Sequence, residues 1–233
     1  MKKLPVILIF ILNLSTSIYG HTGTSEKVVC PVCNDSVVFY LTMSMTTFGG
    51  YMDFQKHGAI GYYYEEMISS CKKCYYSGYH SDFDTTFTNS FIDSVKTVTT
   101  KYKGKEIDDA LECEITAEIK MLSKYKYSNI ANIYLLGSYL LKKDTLQIDR
   151  RKWFQTKTNE FLIKALEHNE YENSEIATIN YLIGEMYRRT GDFVKAIYHY
   201  DLAINDKNKK EWLENVAKKQ KELAIKEDDN NNI

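Results

Sequence analysis

Tyr181-Leu182-Ile183-Gly184-Glu185-Met186-Tyr187-Arg188-Arg189-Thr190-Gly191-Asp192-Phe193, followed by Ala196, Tyr200 and Ala203, is the stretch on which the fold turns. Apolar residues recur at helical spacing on both sides of Gly191-Asp192. Gly184 and Ala196 are small where two antiparallel helices would cross closely, and Tyr187 and Tyr200 fill the gaps beside them. Gly191 suits a helix end, and Asp192 suits the cap of the next helix. The offsets fit the tetratricopeptide pattern L-G-x-x-Y…A-x-x-x-F, which predicts one helical hairpin of that kind.

The pattern extends in both directions. Tyr134-Leu135-Leu136-Gly137-Ser138-Tyr139-Leu140 repeats the first-helix motif. Trp153, Phe154, Phe161, Ala165 and Leu166 would lie on its second helix, with an extension around Lys142 to Arg151. Trp212 to Ile225 reads as a closing helix with Trp212, Val216 and Leu223 on one side and a Lys-rich face toward solvent. Further upstream, 88–100 and 106–125 read as helices, the second with Ile107, Leu111, Ile115, Ile119 and Leu122 on one face. Cys113 falls on the opposite face, as a small residue suited to a second helix contact. The polar tail 227–233 reads as frayed.

The text is different before residue 87. Residues 25–85 are rich in Tyr, Phe, Val, Thr and Met and hold four of the five cysteines. Val37–Leu41 and Tyr62-Tyr63-Tyr64 have strand character. The expected fold is therefore α+β, mainly α. A small β-rich zinc-ribbon-like module (25–87) is followed by a tetratricopeptide-like helical-hairpin array (88–226). No Pro- or Ser-rich linker separates them, so they should pack together.

Cys30-Pro31-Val32-Cys33 and Cys71-Lys72-Lys73-Cys74 are two C-x-x-C pairs. Each can turn two sulfurs toward one point, and two such knuckles make a four-thiolate zinc site. A metal staple also suits a module of roughly 60 residues, which buries little apolar surface alone. In an exported chain, structural disulfides satisfy the same spacing, and a thioredoxin-like redox pair is a third chemistry. His80, soon after Cys74, is a substitute metal ligand by position.

Export is the reading of the first twenty residues. Lys2-Lys3 precede a short apolar run, Leu4 to Leu12, and small residues with cleavage sites after Ser17 or Gly20 follow. That is a secretory signal peptide, too short for a membrane span. The expected location is secreted or periplasmic. With 30 Lys+Arg against 31 Asp+Glu the net charge is −1, which argues against a dedicated nucleic-acid binder.

Val29–Cys33, then Tyr63-Tyr64-Glu65 leading into Cys71–Ser77 and Ser81-Asp82-Phe83, resemble a bacterial family known only as domain of unknown function 2225. The resemblance covers roughly 28–225. It implies zinc-ribbon knuckles followed by helical hairpins, and it implies no activity. Two features depart from the family pattern. Asn34 and Tyr75 stand where Gly usually follows the second Cys of each knuckle, and Lys72 replaces a Pro. Asn adopts the left-handed backbone such a turn favours, and Tyr does so less readily.

No nucleophile elbow, phosphate loop, H-E-x-x-H or dinucleotide fingerprint is present. His57 reads as loop decoration and His199 as an exposed residue of a repeat helix. The expected function is protein binding or scaffolding, with a protein or peptide partner and no integral membrane segment after cleavage. Tyr181, Glu185 and Arg188, at i, i+4 and i+7, are the expected groove residues if they turn away from the packed face; the competing reading has them touching the ribbon or the closing helix. The alternative function is a thiol–disulfide oxidoreductase using one C-x-x-C.

Overall fold

The computed structural model describes residues 20–231. Apart from Gly20, the expected signal segment lies outside them. The chain begins with a long antiparallel hairpin, β1 (His21–Val29) and β2 (Ser36–Gly50), and β3 (Lys56–Ala59) adds to the far half of β2. A second, very short hairpin pairs β4 (Ser69–Ser70) with β5 (Ser77–Gly78). The expected strand at Tyr62–Tyr64 is instead a run of turns, in which the Tyr63 and Glu66 amides bond the Ile60 and Tyr62 carbonyls. Gly61, at φ 54°, turns the chain out of the extended conformation just before it.

Helices then follow without interruption by strand: α1 (Asn89–Thr99), α2 (Asp109–Leu122), α3 (Tyr127–Leu140), α4 (Ile148–Glu167), α5 (Asn173–Thr190), α6 (Phe193–Asn205) and α7 (Glu211–Ile225). The fold is α+β and mainly α. Caps explain several boundaries. Asp108 accepts from the Leu111 amide at 2.7 Å, and Asp192 accepts from the Lys195 amide at 3.2 Å. Gly191 ends α5 at φ 92°, a left-handed value that costs glycine nothing.

Two hairpins, α3–α4 and α5–α6, are built alike. A Cβ placed on Gly184 would lie 2.8 Å from the Tyr200 ring, and one on Gly137 would collide with the Phe154 ring. Each glycine lets a first helix approach an aromatic ring of the second. The extension expected at 142–151 is only partly loop, because α4 already begins at Ile148.

α2 joins the two halves of the molecule. Leu111, Ile115 and Ile119 pack into a core with Phe39, Tyr76, Phe83 and the cysteines of the ribbon. Ala110, Cys113 and Ala117, on the other face, pack against α3 residues Ile130, Ala131 and Tyr134. Cys113 is thus a buried small residue at a helix crossing, as its position suggested.

Two details of the C-terminal end differ from the sequence reading. In α7 the inward residues are Leu213, Ala217 and Ala224, while Trp212 is half-exposed beside Phe54. The stripe is set one residue later because small Ala217 and Ala224 allow close contact with α6. The described tail, 227–231, is not frayed. The Asp228 and Asn230 carbonyls accept from Arg188 Nη1 at 2.8 and 3.1 Å, the Asn231 carbonyl accepts from Arg189 Nη1 at 2.7 Å, and Asn231 is buried. Buried guanidinium groups need acceptors, and main-chain carbonyls supply them without a second charge.

Candidate metal centre

Each C-x-x-C pair occupies the tip of a hairpin. Val29 pairs with Ser36 across the first, and Ser70 pairs with Ser77 across the second. The two tips have the same internal bonding. The Cys30 amide donates to Asp35 O at 2.8 Å and Asn34 N to Cys30 O at 2.9 Å; the Cys71 amide donates to Tyr76 O at 2.8 Å and Tyr75 N to Cys71 O at 2.8 Å. Both turns close through a left-handed residue, Asn34 at φ 59° and Tyr75 at φ 63°. Asn34 and Tyr75 are therefore the positions where the backbone demands φ > 0. At Tyr75 the strain is offset by anchoring: its hydroxyl accepts from the Gly104 amide at 2.9 Å and donates to the Lys105 carbonyl at 3.4 Å.

The two tips face one another. Cys30 Sγ lies 3.5 Å from Cys74 Sγ, and Cys33 Sγ lies 3.4 Å from Cys71 Sγ. All four sulfurs fall within 4.8 Å of one another, and all four cysteines are free thiols. A tetrahedron with roughly 2.3 Å metal–sulfur bonds has edges of about 3.8 Å, whereas a disulfide needs about 2.05 Å. The sulfurs thus stand at the spacing of a shared metal ion and not of a bond. Hydrogen bonds from Cys30 and Cys74 hold the Cys71 thiol far below its ordinary value. The same Cys71 hydrogen bond pushes Cys30 up to about 12, and Cys74 is raised as well. Four convergent cysteine sulfurs are a donor set for a thiophilic divalent cation.

Cys30 and Cys71 are buried, and Cys33 and Cys74 are half-buried. Neither pair precedes a helix, so the helix N-terminus that activates a C-x-x-C thiol in redox proteins is absent from both tips. His80 is not in the cluster; its Nε2 meets Glu26 at 3.1 Å, and its ring contacts Phe39 edge-on.

A family model described as an uncharacterized protein conserved in bacteria (DUF2225) matches residues 24–224. The chain belongs to that family. The match spans both knuckles and nearly all of α7, so the cysteine cluster and the helical hairpins are parts of one family unit. No curated protein and no solved structure matches the chain.

The three expected groove residues are elsewhere than expected. Tyr181, Glu185 and Arg188 are completely buried. The turn between β2 and β3 reaches across to them. The Tyr181 hydroxyl donates to Met52 O at 2.8 Å, and the Tyr139 hydroxyl donates to Asp53 O. The Asp53 carboxylate, also fully buried, meets Lys142 Nζ at 2.7 Å and Arg189 Nη1 at 3.1 Å. Glu185 completes the cluster, bonding Arg188 at 3.1 Å, Arg189 at 3.0 Å and the Tyr200 hydroxyl at 2.5 Å. Burial alone would raise the Glu185 carboxyl, but Arg189 and Arg188 together hold it below its usual value. Burial brings Lys142 down to about 8 against the pull of Asp53. The chain's own turn and tail therefore cover this face of the helices. Sequence reasoning missed Asp53, Lys142 and Arg189 because their partners are more than eighty residues apart. Glu185 and the adjacent pair Arg188-Arg189, charged residues in a helix stretch that otherwise matches the apolar repeat pattern, were the available signal.

Proposed function

We propose that this chain is an exported binding scaffold with a structural zinc ion held by Cys30, Cys33, Cys71 and Cys74. The convergence of four free sulfurs from two matching hairpin tips carries the reading. Zinc suits it because the donors are all cysteine sulfurs, their spacing is compatible with a tetrahedral site, and four protein ligands would leave no position open for a reacting molecule. The ion would staple the β1–β2 hairpin to the β4–β5 hairpin, which lack a long shared strand ladder. Its binding energy would become folding energy for this half of the molecule.

The paired hairpins α3–α4 and α5–α6, with small residues at the crossings and a closing α7, support a tetratricopeptide-like array. Such arrays bind proteins or peptides on the concave face formed by their first helices. No helix among the described residues is long and apolar enough to cross a membrane. The basic and apolar segment before residue 20 supports export to the periplasm or the medium.

Hydrogen exchange with and without a zinc chelator tests the staple. Chelation should open amides in residues 25–85 first, while α3–α6 stay protected. Protection that is unchanged by the chelator would refute it. Export is tested by intact mass of the protein recovered from the envelope fraction, where an N-terminus close to residue 20 is expected.

A further inference from the structure

Next to the Asp53 turn, and sharing Phe54 and Tyr139 with it, lies a cleft of roughly 600 Å³ between α3 and the segment leading into the second knuckle. That volume lies within the range of small-ligand and peptide sites. Tyr63, Met67 and Tyr125 line it together with Asn129, Asn132 and Leu135 of α3. Asn129 and Asn132 are exposed, sit one helical turn apart and point the same way. Their amides, and the hydroxyls of Tyr63 and Tyr125, make no side-chain hydrogen bond among the described residues.

The docked turn shows which chemistry these helices accept. There, two tyrosine hydroxyls on first helices, Tyr139 of α3 and Tyr181 of α5, donate to consecutive main-chain carbonyls of the turn, Asp53 O and Met52 O. The turn's carboxylate is received by Lys142 and Arg189. The open cleft shares the tyrosine hydroxyls and has one cation, and it adds primary amides that can donate to a carbonyl and accept from an amide. Lys56 lies at the mouth with its ammonium 5.9 Å from the Tyr63 ring centre and forms no ion pair among the described residues. No Asp or Glu lines the cleft.

We infer that this cleft binds a peptide segment of a partner protein through its main chain, with one apolar side chain in the Tyr63–Met67 slot and one carboxylate on Lys56. The inference rests on the scaffold reading and gives it a site and a partner chemistry. Continuity with the occupied turn, and a positive charge without an acidic counterpart, select an acidic peptide over a basic one.

The test uses the metal-loaded full chain and a dye-labelled ten-residue Gly/Ser peptide with a central Phe-Asp, read by fluorescence anisotropy. A second peptide carries Lys in place of Asp, and a neutral N-acetylated oligosaccharide serves as a competitor of another class. The acidic peptide should bind and the basic one should not. Asn129→Ala with Asn132→Ala, both exposed and so compatible with folding, should weaken binding at least tenfold at an unchanged melting temperature. Lys56→Glu should reverse the charge preference. No binding of the acidic peptide up to its solubility limit overturns the inference. So does binding that is unaffected by the variants, or oligosaccharide binding by calorimetry in the absence of any peptide binding. Metal content and melting temperature of the same samples are measured in parallel. A silent cleft in a folded, zinc-loaded protein therefore counts against the site and not against the scaffold.

Discussion

Single residues carry more of this structure than their types suggest. Tyr75 sits at φ 63° in the second knuckle, where a non-glycine residue costs about 1 kcal/mol. Its hydroxyl holds Gly104 and Lys105, so Tyr75→Phe should lose about 0.5–1.5 kcal/mol in urea unfolding, while keeping the strain. Asp53 is the buried carboxylate on which Lys142 and Arg189 depend. Asp53→Ala should cost about 3–5 kcal/mol, because it leaves uncompensated charge in the interior; an unchanged unfolding midpoint would show that the turn does not dock. Glu112 responds to pH. Burial, then the neighbouring Asp109, push its carboxyl up to about 8 from an ordinary 4.5. Between those values the native chain holds a proton that the unfolded chain has released, so this group's contribution falls as pH rises through the window. Glu112→Gln should therefore stabilise the protein at roughly pH 8.5 and leave it unchanged near pH 4, as thermal melts at both pH values would reveal.

At the level of elements, most of the fold was legible because it is written in short-range pattern. The Gly184–Ala196–Tyr200 spacing marks a helical hairpin whose glycine does face the Tyr200 ring. Gly184→Ala should force that ring aside, and with it the hydroxyl bonded to Glu185, at a cost of about 1–3 kcal/mol. A melting temperature equal to the parent's would mean the helices do not cross there. The two faces of α2 were legible too, since Leu111/Ile115/Ile119 and Cys113 lie on opposite sides of any helix through them. What escaped was the exposure of faces. Tyr181, Glu185 and Arg188 share a stripe, and a polar stripe reads as solvent-facing unless a distant segment is known to cover it. The covering turn, Tyr51 to Phe54, and the covering tail, Asp228 to Asn231, lie far away in sequence, 129 residues before Tyr181 and 40 after Arg188 at the bonded pairs. The same blindness moved the inward face of α7 from Trp212 to Leu213. An aromatic residue looks like core, but here Trp212 shields Phe54 at the surface and alanines make the close contact.

For the whole molecule, the arrangement is one of mutual bracing. The ribbon reaches over the helices through the Asp53 turn, and the tail closes the same cluster from the other side. α2 binds ribbon core to helical core along its two faces. Deleting residues 228–233 should cost about 1–3 kcal/mol, since Arg188 and Arg189 lose three carbonyl acceptors. Four sulfurs at the ribbon's centre were foreseen from spacing alone, because a C-x-x-C turn leaves few directions for its side chains. That they stand apart as free thiols at metal spacing needed coordinates. Sulfur-ligand analysis by zinc-edge X-ray absorption on protein purified without added metal tests the central claim most directly. The account predicts about one zinc per chain, bound by four sulfurs at roughly 2.3 Å. Protein without metal, and with Cys30, Cys33, Cys71 and Cys74 joined as two disulfides by mass spectrometry, would contradict it.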